Sequence, residues 1–511
     1  MPANGDLVIG LDCSTSGCKA IAWDRNGTCQ AEGRSSLRTL QARPAWHEQS
    51  AEDWWRAAKR ALRQVTARVA AGRLAAICLT VQRETFVPVD KAGKPLRNAI
   101  LWMDERARAL LPALGEGLGR DAFHQLTGKP LSGNLSASKI AWLRANEAQV
   151  FEQTHRYLDV HAYLVQRLTG EARTGWGCAD PTGLFDMQQH DWAESVLQQL
   201  GIRREQLPQA EASGVPIGRL RRRVAGACGL PPGLPVVAGT GDGQAASLGA
   251  GLLAAGEAHL SLGTSVVSGT YSPGYLVDRA FRTTCAAIPG AYLLETVLLG
   301  GLYTTRWFAE NFGRAAARRG AAISIETQLE SAAAQVPPGA LGLLLVPYWN
   351  SAMNPYWDAA ASGIVVGWRG VHQPQHLYRA ILEGIAFEQR LHSQGVAAAT
   401  RQPVRRYIAS GGGARSPLLR QIIADVTGIP VYRTRTVEAA ALGAGILAAS
   451  GAGWYADIPQ AARHMTELDP HIFEPDPQRG ALYSQLYEQV YQHLFPALRL
   501  LLDRLAELTL G

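Results

Sequence analysis

The sequence lacks the features that would tie it to a membrane or an oxidising compartment. No stretch reaches the roughly 18 consecutive apolar residues that a membrane helix needs. The opening MPANGDLVIGLD has neither a basic flank nor the apolar core of a secretion signal. Seven cysteines (13, 18, 29, 78, 178, 228 and 285) form no CxxC pair and leave an odd number, the pattern of scattered reduced thiols. A soluble, cytoplasmic protein is therefore expected. Cys13 and Cys18 are close in sequence, but no histidine or further cysteine completes a zinc set. Positive charge is also without direction. The net charge is +7, and the densest run, Arg219 to Arg223, is too short to follow a nucleic-acid backbone. A modest positive field suits a small anionic ligand instead, so neither nucleic acid nor membrane is expected as a partner.

What the chain does have is turns and core. Its 53 glycines and 27 prolines in 511 residues exceed the about 12% of average usage. Hydrophobic residues make up 47% and charged residues 18%, as in a chain that buries a large interior, which excludes disordered, collagen-like and coiled-coil proteins. The length favours two to four domains at about 100–200 residues each.

The pattern predicts a strand from Leu7 to Leu11, a polar turn DCSTSG, and a returning strand from Ala20 to Trp23. Ser50 and Asp53 suggest a capping box opening a helix that carries Trp54, Trp55, Ala58 and Leu62. His47, Trp46, Trp54 and Trp55 read as packing residues. A buried strand, Ala75 to Val81, runs straight into Gln82-Arg83-Glu84-Thr85, and polar residues at a strand's end are where α/β proteins place ligands. Ser138 to Ala148 and Tyr157 to Leu168 read as helices, and Pro208 to Pro216 as a loop. Strand Val236 to Ala238 leads into Gly239-Thr240-Gly241-Asp242-Gly243-Gln244 and a small-residue helix, Ala245 to Leu253. Ala258 to Leu262, the turn Gly263-Thr264-Ser265 and Val266 to Thr270 then echo the opening of the chain. Two similar α/β domains follow from this, 1–252 and 253–511, facing one another across a cleft. Later, a strand from Arg406 to Ser410, the turn Gly411-Gly412-Gly413, a helix from Ser416 to Gly428 and a strand from Ile429 to Tyr432 form a nucleotide-friendly unit. Gln478 to Leu508 reads as amphipathic helices covering a core.

Three hydroxyl- and glycine-rich turns share a reason if the ligand is a triphosphate, whose oxygens take backbone N–H and hydroxyl donors. Asp12, at the tip of the first strand, fits near phosphates only with a divalent cation, most often Mg²⁺; otherwise its side chain simply forms the turn. Lys19 could balance charge beside it. Asp242, flanked by glycines, has the placement of a carboxylate that takes a hydroxyl proton in phosphoryl transfer, a plain Gly-Asp-Gly turn being the alternative. Glu438 could face the cleft, but a helix N-terminal acid is the simpler role.

VVAGTGDGQAASLGAG (236–251) and LSLGTS (260–265) resemble the FGGY family of carbohydrate kinases. So do IGLDCSTSGCKAIAWD near the start, ILWMDERA (100–107), HLYRAILEGIAFEQR (376–390), ASGGGARSPLLRQIIADVTGIPV (409–431) and AALGAGILA (440–448), in the usual order from about residue 7 to 450. The resemblance implies an ATP-dependent sugar or polyol kinase with two actin-like (ribonuclease H-like) domains and a ligand cleft between them. By matching position it makes Asp242 the catalytic base and Asp12 the Mg²⁺-site carboxylate. Ser14 and Thr15 fall in the first phosphate loop, Gly263 and Thr264 in the second, and Gly412, Gly413 and Ser416 in the nucleotide-holding turn. QRET (82–85) resembles the segment with which glycerol kinases bind acceptor hydroxyls, here Arg83 and Glu84, and Trp102 matches a wall of that pocket. Asn134, Gly243 and Val267 depart from that pattern, standing where Tyr, Gln and Phe are expected, and so imply a wider pocket. Gly-Asp-Gly is closer to the ketose-kinase members. The acceptor expected is a four- or five-carbon polyol or ketose, D-xylulose first, with a glycerol or erythritol kinase as the alternative. A catalytically silent sugar sensor is the remote reading, opposed by the retention of Asp12 and Asp242. Two further departures are Ser14 in place of Gly and Ser362 in place of Arg. Dimers are common in such families, so a homodimer is expected.

Overall fold

The structure is a computed structural model that describes residues 5–313, 324–349 and 351–510, so the first four residues of the opening segment lie outside the described residues. Leu7–Cys13 and Gly17–Trp23 pair antiparallel, with Asp12 opposite Lys19 and Cys13 opposite Cys18. The turn is thus tighter than DCSTSG suggests, because Asp12 and Cys13 are already in the ladder. These strands belong to a six-stranded sheet in the order Pro216–Arg219, Pro235–Gly241, Leu74–Val81, Leu7–Cys13, Gly17–Trp23, Cys29–Ser36. A second six-stranded sheet runs Arg282–Cys285, Tyr292–Leu298, Val266–Ser272, Glu257–Leu262, Arg406–Ser410, Val431–Arg433.

The two sheets repeat one plan. In each, the half's opening strand pairs antiparallel with the next, a third continues the meander, and two later strands join in parallel on the other side. Each sheet adds one antiparallel edge strand, but at opposite ends. This is the two-domain actin-like, ribonuclease H-like α/β architecture that the internal echo predicts.

Local details differ from expectation where tertiary pairing intervenes. Tyr157 and Leu158 lie in a strand, Arg156–Asp159, paired with Phe86–Val89. The helix begins only at Val160, capped by Asp159 accepting the Ala162 N–H. Within 208–216, Gln209–Glu211 pairs in parallel with Arg173–Gly175. Helix Ala51–Thr66 forms as predicted and buries Trp54, Trp55, Ala58 and Leu62, but the capping box does not. Ser50 makes no side-chain cap, and Asp53 turns to Arg56 at 3.2 Å. Trp46 packs edge-on to Trp142 under Arg106.

One crossing fixes the position of the helix that begins at Asp242. Asp242–Gly249 crosses Ala439–Gly451, and a Cβ on Gly249 would stand 1.9 Å from the Ala439 carbonyl oxygen. A Cβ on Gly443 would stand 1.9 Å from that of Ala245. Ala439–Gly451 also packs on the first sheet, where Trp23 Nε1 donates to the Ala441 carbonyl at 3.1 Å. At the C-terminus, Pro477–Leu486 and Gln492–Leu510 cover the second core with buried Tyr483, Tyr487, Tyr491 and Phe495. Among the described residues no helix is long and apolar enough to cross a membrane.

Candidate active site

Two parallel strands end side by side at the cleft. Leu74–Val81 delivers Gln82 to Thr85, and Pro235–Gly241 delivers Asp242. Their ladder shifts register between Val237 and Thr240, and the Gly239 N–H goes to His161 Nε2 instead, at 3.0 Å. Burial pulls the His161 pKa down to about 3, so this imidazole stays neutral and can accept that bond. Asp242 opens its helix with Oδ1 accepting the Gly243 N–H at 2.8 Å and lying 3.2 Å from Arg83 Nε. Burial raises the Asp242 pKa above the ordinary carboxylate value, while Arg83 and the Gly243 N–H oppose the shift.

Arg83 and Glu84 are not free to meet a ligand with full charges. Arg83 Nη1 donates to Glu295 Oε2 at 2.8 Å, and Arg282 Nη1 donates to Glu84 Oε1 at 2.8 Å. Arg282 also donates to Glu295 Oε1, its cross-strand neighbour on Tyr292–Leu298. An Arg-Glu pair from the first half and one from the second thus exchange partners across the cleft. Burial pushes the Glu295 carboxyl up, but Arg282 and Arg83 outweigh it and bring the pKa down to about 2. Arg282 and Glu295 escaped the sequence reading. Both sit in strands, and only their shared ladder register, invisible before the fold is known, brings them together.

Below Glu84 lies Lys139, also missed because it occupies an ordinary helical position. Its buried ammonium donates to the carbonyls of Glu84 at 3.0 Å and Leu101 at 2.6 Å. Burial lowers its pKa to about 7. It supports a strained point, since Glu84 has φ 49°, left-handed for a non-glycine residue. Trp102 is tied in as well: its Nε1 donates to Thr15 Oγ1 at 3.0 Å, and Thr15 Oγ1 donates to Gln82 Oε1 at 3.0 Å. Gln82 passes the chain to Gln49, which binds the Thr15 carbonyl at 2.7 Å.

These groups line an inner chamber of about 230 Å³, with Thr15, Arg83, Glu84, Trp102, Asp242 and Val267 among its walls. Asn134 is not in it. Its Nδ2 donates to the Trp102 carbonyl at 2.9 Å, and it lines an adjoining space of about 430 Å³. Gly243 lies behind the chamber, where a Cβ would come within 3.2 Å of Glu295 Oε2 and 3.4 Å of Arg83 Nη2.

A separate cavity of about 240 Å³ is lined by Asp12, Ser14, Gly17, Lys19 and Arg34. Asp12 Oδ1 is enclosed without a hydrogen-bond partner. Burial, reinforced by the Asp242 charge, raises the Asp12 pKa to about 7, against the pull of Lys19. Lys19 itself is paired with Glu438, which also holds Arg34, so Glu438 reaches the cavity as a counter-ion. Ser14 folds its hydroxyl back onto the Gly17 carbonyl at 3.0 Å. Cys13 and Cys18 are buried free thiols with sulfurs 3.1 Å apart.

In the second half, the Gly263 and Thr264 carbonyls accept the Leu302 and Tyr303 N–H groups, closing the turn on helix Gly301–Asn311. Gly411 has φ 84°, a Cβ on Gly412 would meet nothing, and Gly413 packs on Leu302 and Leu262. Ser416 caps helix Pro417–Thr427 by accepting the Leu419 N–H at 3.0 Å and donates to Glu330. His259 links the helix that Asp242 opens to this turn, through Ser247 at 3.2 Å and Ser410 at 2.7 Å.

Two actin-like halves meeting at a charged chamber and a hydroxyl-lined loop define a two-domain phosphotransferase architecture. The chain belongs to the FGGY family of carbohydrate kinases: the family's N-terminal domain matches residues 7–249 and its C-terminal domain residues 258–452. It is 30% identical to a xylulose kinase of Escherichia coli, over 96% of this chain and 99% of that one. It is 33% identical to a glycerol kinase of Methylibium petroleiphilum, over 89% and 92%. The solved xylulose kinase of Rhodospirillum rubrum superposes with a TM-score of 0.88 at 26% identity, covering 97% of this chain and 100% of that one. The protein is an ATP-dependent carbohydrate kinase.

Proposed function

We propose that the enzyme transfers the γ-phosphoryl group of ATP to a hydroxyl of a small neutral ketose or polyol, a pentulose such as D-xylulose first. The observation that carries this reading is Asp242, a carboxylate at the mouth of a strand, inside the one chamber where Arg83, Glu84 and Trp102 meet. Asp242 accepts the hydroxyl proton as the acceptor oxygen forms its bond to γ-phosphorus and the bond to ADP breaks. Arg83 favours the ionised form of that carboxylate against the effect of burial, and the Gly243 N–H fixes its orientation. The chamber is lined by two carboxylates (Glu84, Asp242) and two guanidinium groups (Arg83, Arg282), and the buried Glu295 holds both arginines, which leaves no free positive charge and favours a neutral acceptor over a sugar acid.

The first phosphate loop and Lys19 face the cavity beside Asp12, while the Gly263-Thr264 and Gly411-Gly413 turns serve the nucleotide from the second half. Thr15 borders the inner chamber instead, with its hydroxyl spent on Gln82 and its carbonyl on Gln49. Asp12 fits a Mg²⁺ site, because its buried Oδ1 has no other partner. Asp12 would hold such an ion there, and the ion would supply neutralisation of phosphate charge. Residues 1–252 and 253–511 act as the two closing halves of a cytoplasmic enzyme. The Gln82-Arg83-Glu84-Thr85 segment and the glycerol kinase relatives favour a second reading, a polyol kinase for glycerol or erythritol.

The test is coupled ADP release with ATP, Mg²⁺ and ketoses and polyols of three to six carbons. The highest kcat/KM is expected with a five-carbon ketose. A preference for glycerol moves the assignment to the second reading, and no stimulated ADP release by any of them overturns both.

A further inference from the structure

The space beside the inner chamber is the larger of the two, and it shares a wall with it. Trp102, Ser265, Leu299 and Met353 are walls of both. None of the residues lining the Asp12 cavity borders it. Its 430 Å³ falls in the range of about 300–1,000 Å³ usual for small-molecule sites, whereas the inner chamber's 230 Å³ falls below it.

The chemistry of the two spaces differs. The inner chamber is built of paired charges. The outer one is lined by Trp102, Trp357, Met103 and Leu131, with Thr264 of the second-half turn at one side. Both indole N–H groups point elsewhere, Trp102 to Thr15 and Trp357 to the Arg279 carbonyl at 2.7 Å. Their ring faces are what remains for a ligand, and an indole face suits the C–H face of a sugar ring. Polar groups stand at the margin: Arg108 and Glu105, 3.7 Å apart and both exposed, and Ser132. Asn134 borders this outer space, so replacement of an aromatic side chain there enlarges the outer chamber and not the inner one.

We propose that the outer chamber is a subsite for a second sugar ring, so that the preferred acceptor is a ketose or polyol unit carrying a glycosyl substituent remote from the hydroxyl that is phosphorylated. This rests on the reading of the inner chamber as the acceptor site. The reacting unit sits among Arg83, Glu84 and Asp242, and the glycosyl ring lies between the two indoles with its hydroxyls toward Arg108, Glu105 and solvent.

The experiment compares kcat/KM for D-xylulose and D-arabitol with that for the glycosyl polyols lactitol and maltitol, in the wild type and in two plugged variants. Gly133→Phe fills the outer chamber from a position where a Cβ meets nothing closer than 3.9 Å. Ala359→Trp fills it from an exposed residue at its margin and serves if the first variant folds poorly. The expected result is at least a tenfold preference for a glycosyl polyol, lost in the plugged variants while turnover of the unsubstituted acceptors stays within about twofold. No preference in the wild type overturns the proposal. So does a plug that slows all acceptors alike, which would make the space an entry route. ADP release with xylulose or arabitol but with neither glycosyl polyol overturns the subsite alone, and no release with any acceptor removes the reading beneath it.

Discussion

The chamber that Asp242 lines and the cavity that Asp12 lines share no wall residue and are finished to different degrees. In the chamber every strong charge already has its partner: Arg83, Glu84, Arg282 and Glu295 neutralise one another across the cleft. In the cavity, Asp12 is buried beside other carboxylates, its nearby lysine is spent on Glu438, and one of its oxygens has no partner. On the proposed reading, the paired charges of the chamber suit a neutral ligand, and the unpartnered Asp12 carboxylate suits a site that a cation and phosphates would complete. That difference would let one cleft hold an uncharged acceptor near a polyanion.

Glu295→Gln attacks the finished side and is expected to have the largest effect on stability. It leaves Arg83 and Arg282 short of a buried counter-charge, a loss on the order of 3–5 kcal/mol read by chemical denaturation. Asp12→Asn attacks the unfinished side and should do the reverse. Affinity for MgATP drops on the order of 10–100-fold, while the metal-free protein gains stability at pH 8.

The pH dependences carry opposite signs. Asp12 has a folded pKa of about 7 against an ordinary 3.8, so the folded state holds its proton more tightly. Its contribution is fully present below about pH 4 and is lost as pH rises through about 7. Glu295, depressed to about 2, contributes above its ordinary 4.5, and that contribution is lost as pH falls through about 2. Melting temperature against pH should therefore lose its decline between pH 5 and 8 in Asp12→Asn and keep it in Glu295→Gln. If the two variants show the same profile, the contrast between the sites fails.

The smallest effect expected is kinetic. Removing the Arg83 charge with Arg83→Met takes away the main group opposing the burial of Asp242, so the acid limb of the kcat profile moves to higher pH. An unmoved limb would separate Arg83 from the base.

Much of this was legible in the chain. Alternating hydroxyl-glycine turns and buried strands announced two like halves, and the sheets repeat that plan in five of their six strands. Asp12, Asp242, Arg83 and Glu84 stood out because polar residues at strand ends have few structural uses, and Trp102 only through the family resemblance. Arg282, Glu295 and Lys139 were illegible for the opposite reason: an arginine or glutamate in a strand and a lysine in a helix look like solvated residues until the fold buries them. Tyr157 and Leu158 read as helix because helix periodicity begins at Val160, yet pairing with Val87 and Pro88 claims them for a sheet. Asn134 was legible as a widening, but which chamber it widens depends on a loop path that spacing does not encode.

The most direct measurement is turnover and nucleotide binding by Asp242→Asn. ATP affinity within about threefold of wild type, with kcat reduced on the order of a thousandfold or more, is the result expected if Asp242 takes the acceptor's proton. Near-normal turnover with that side chain neutralised would contradict the account at its centre.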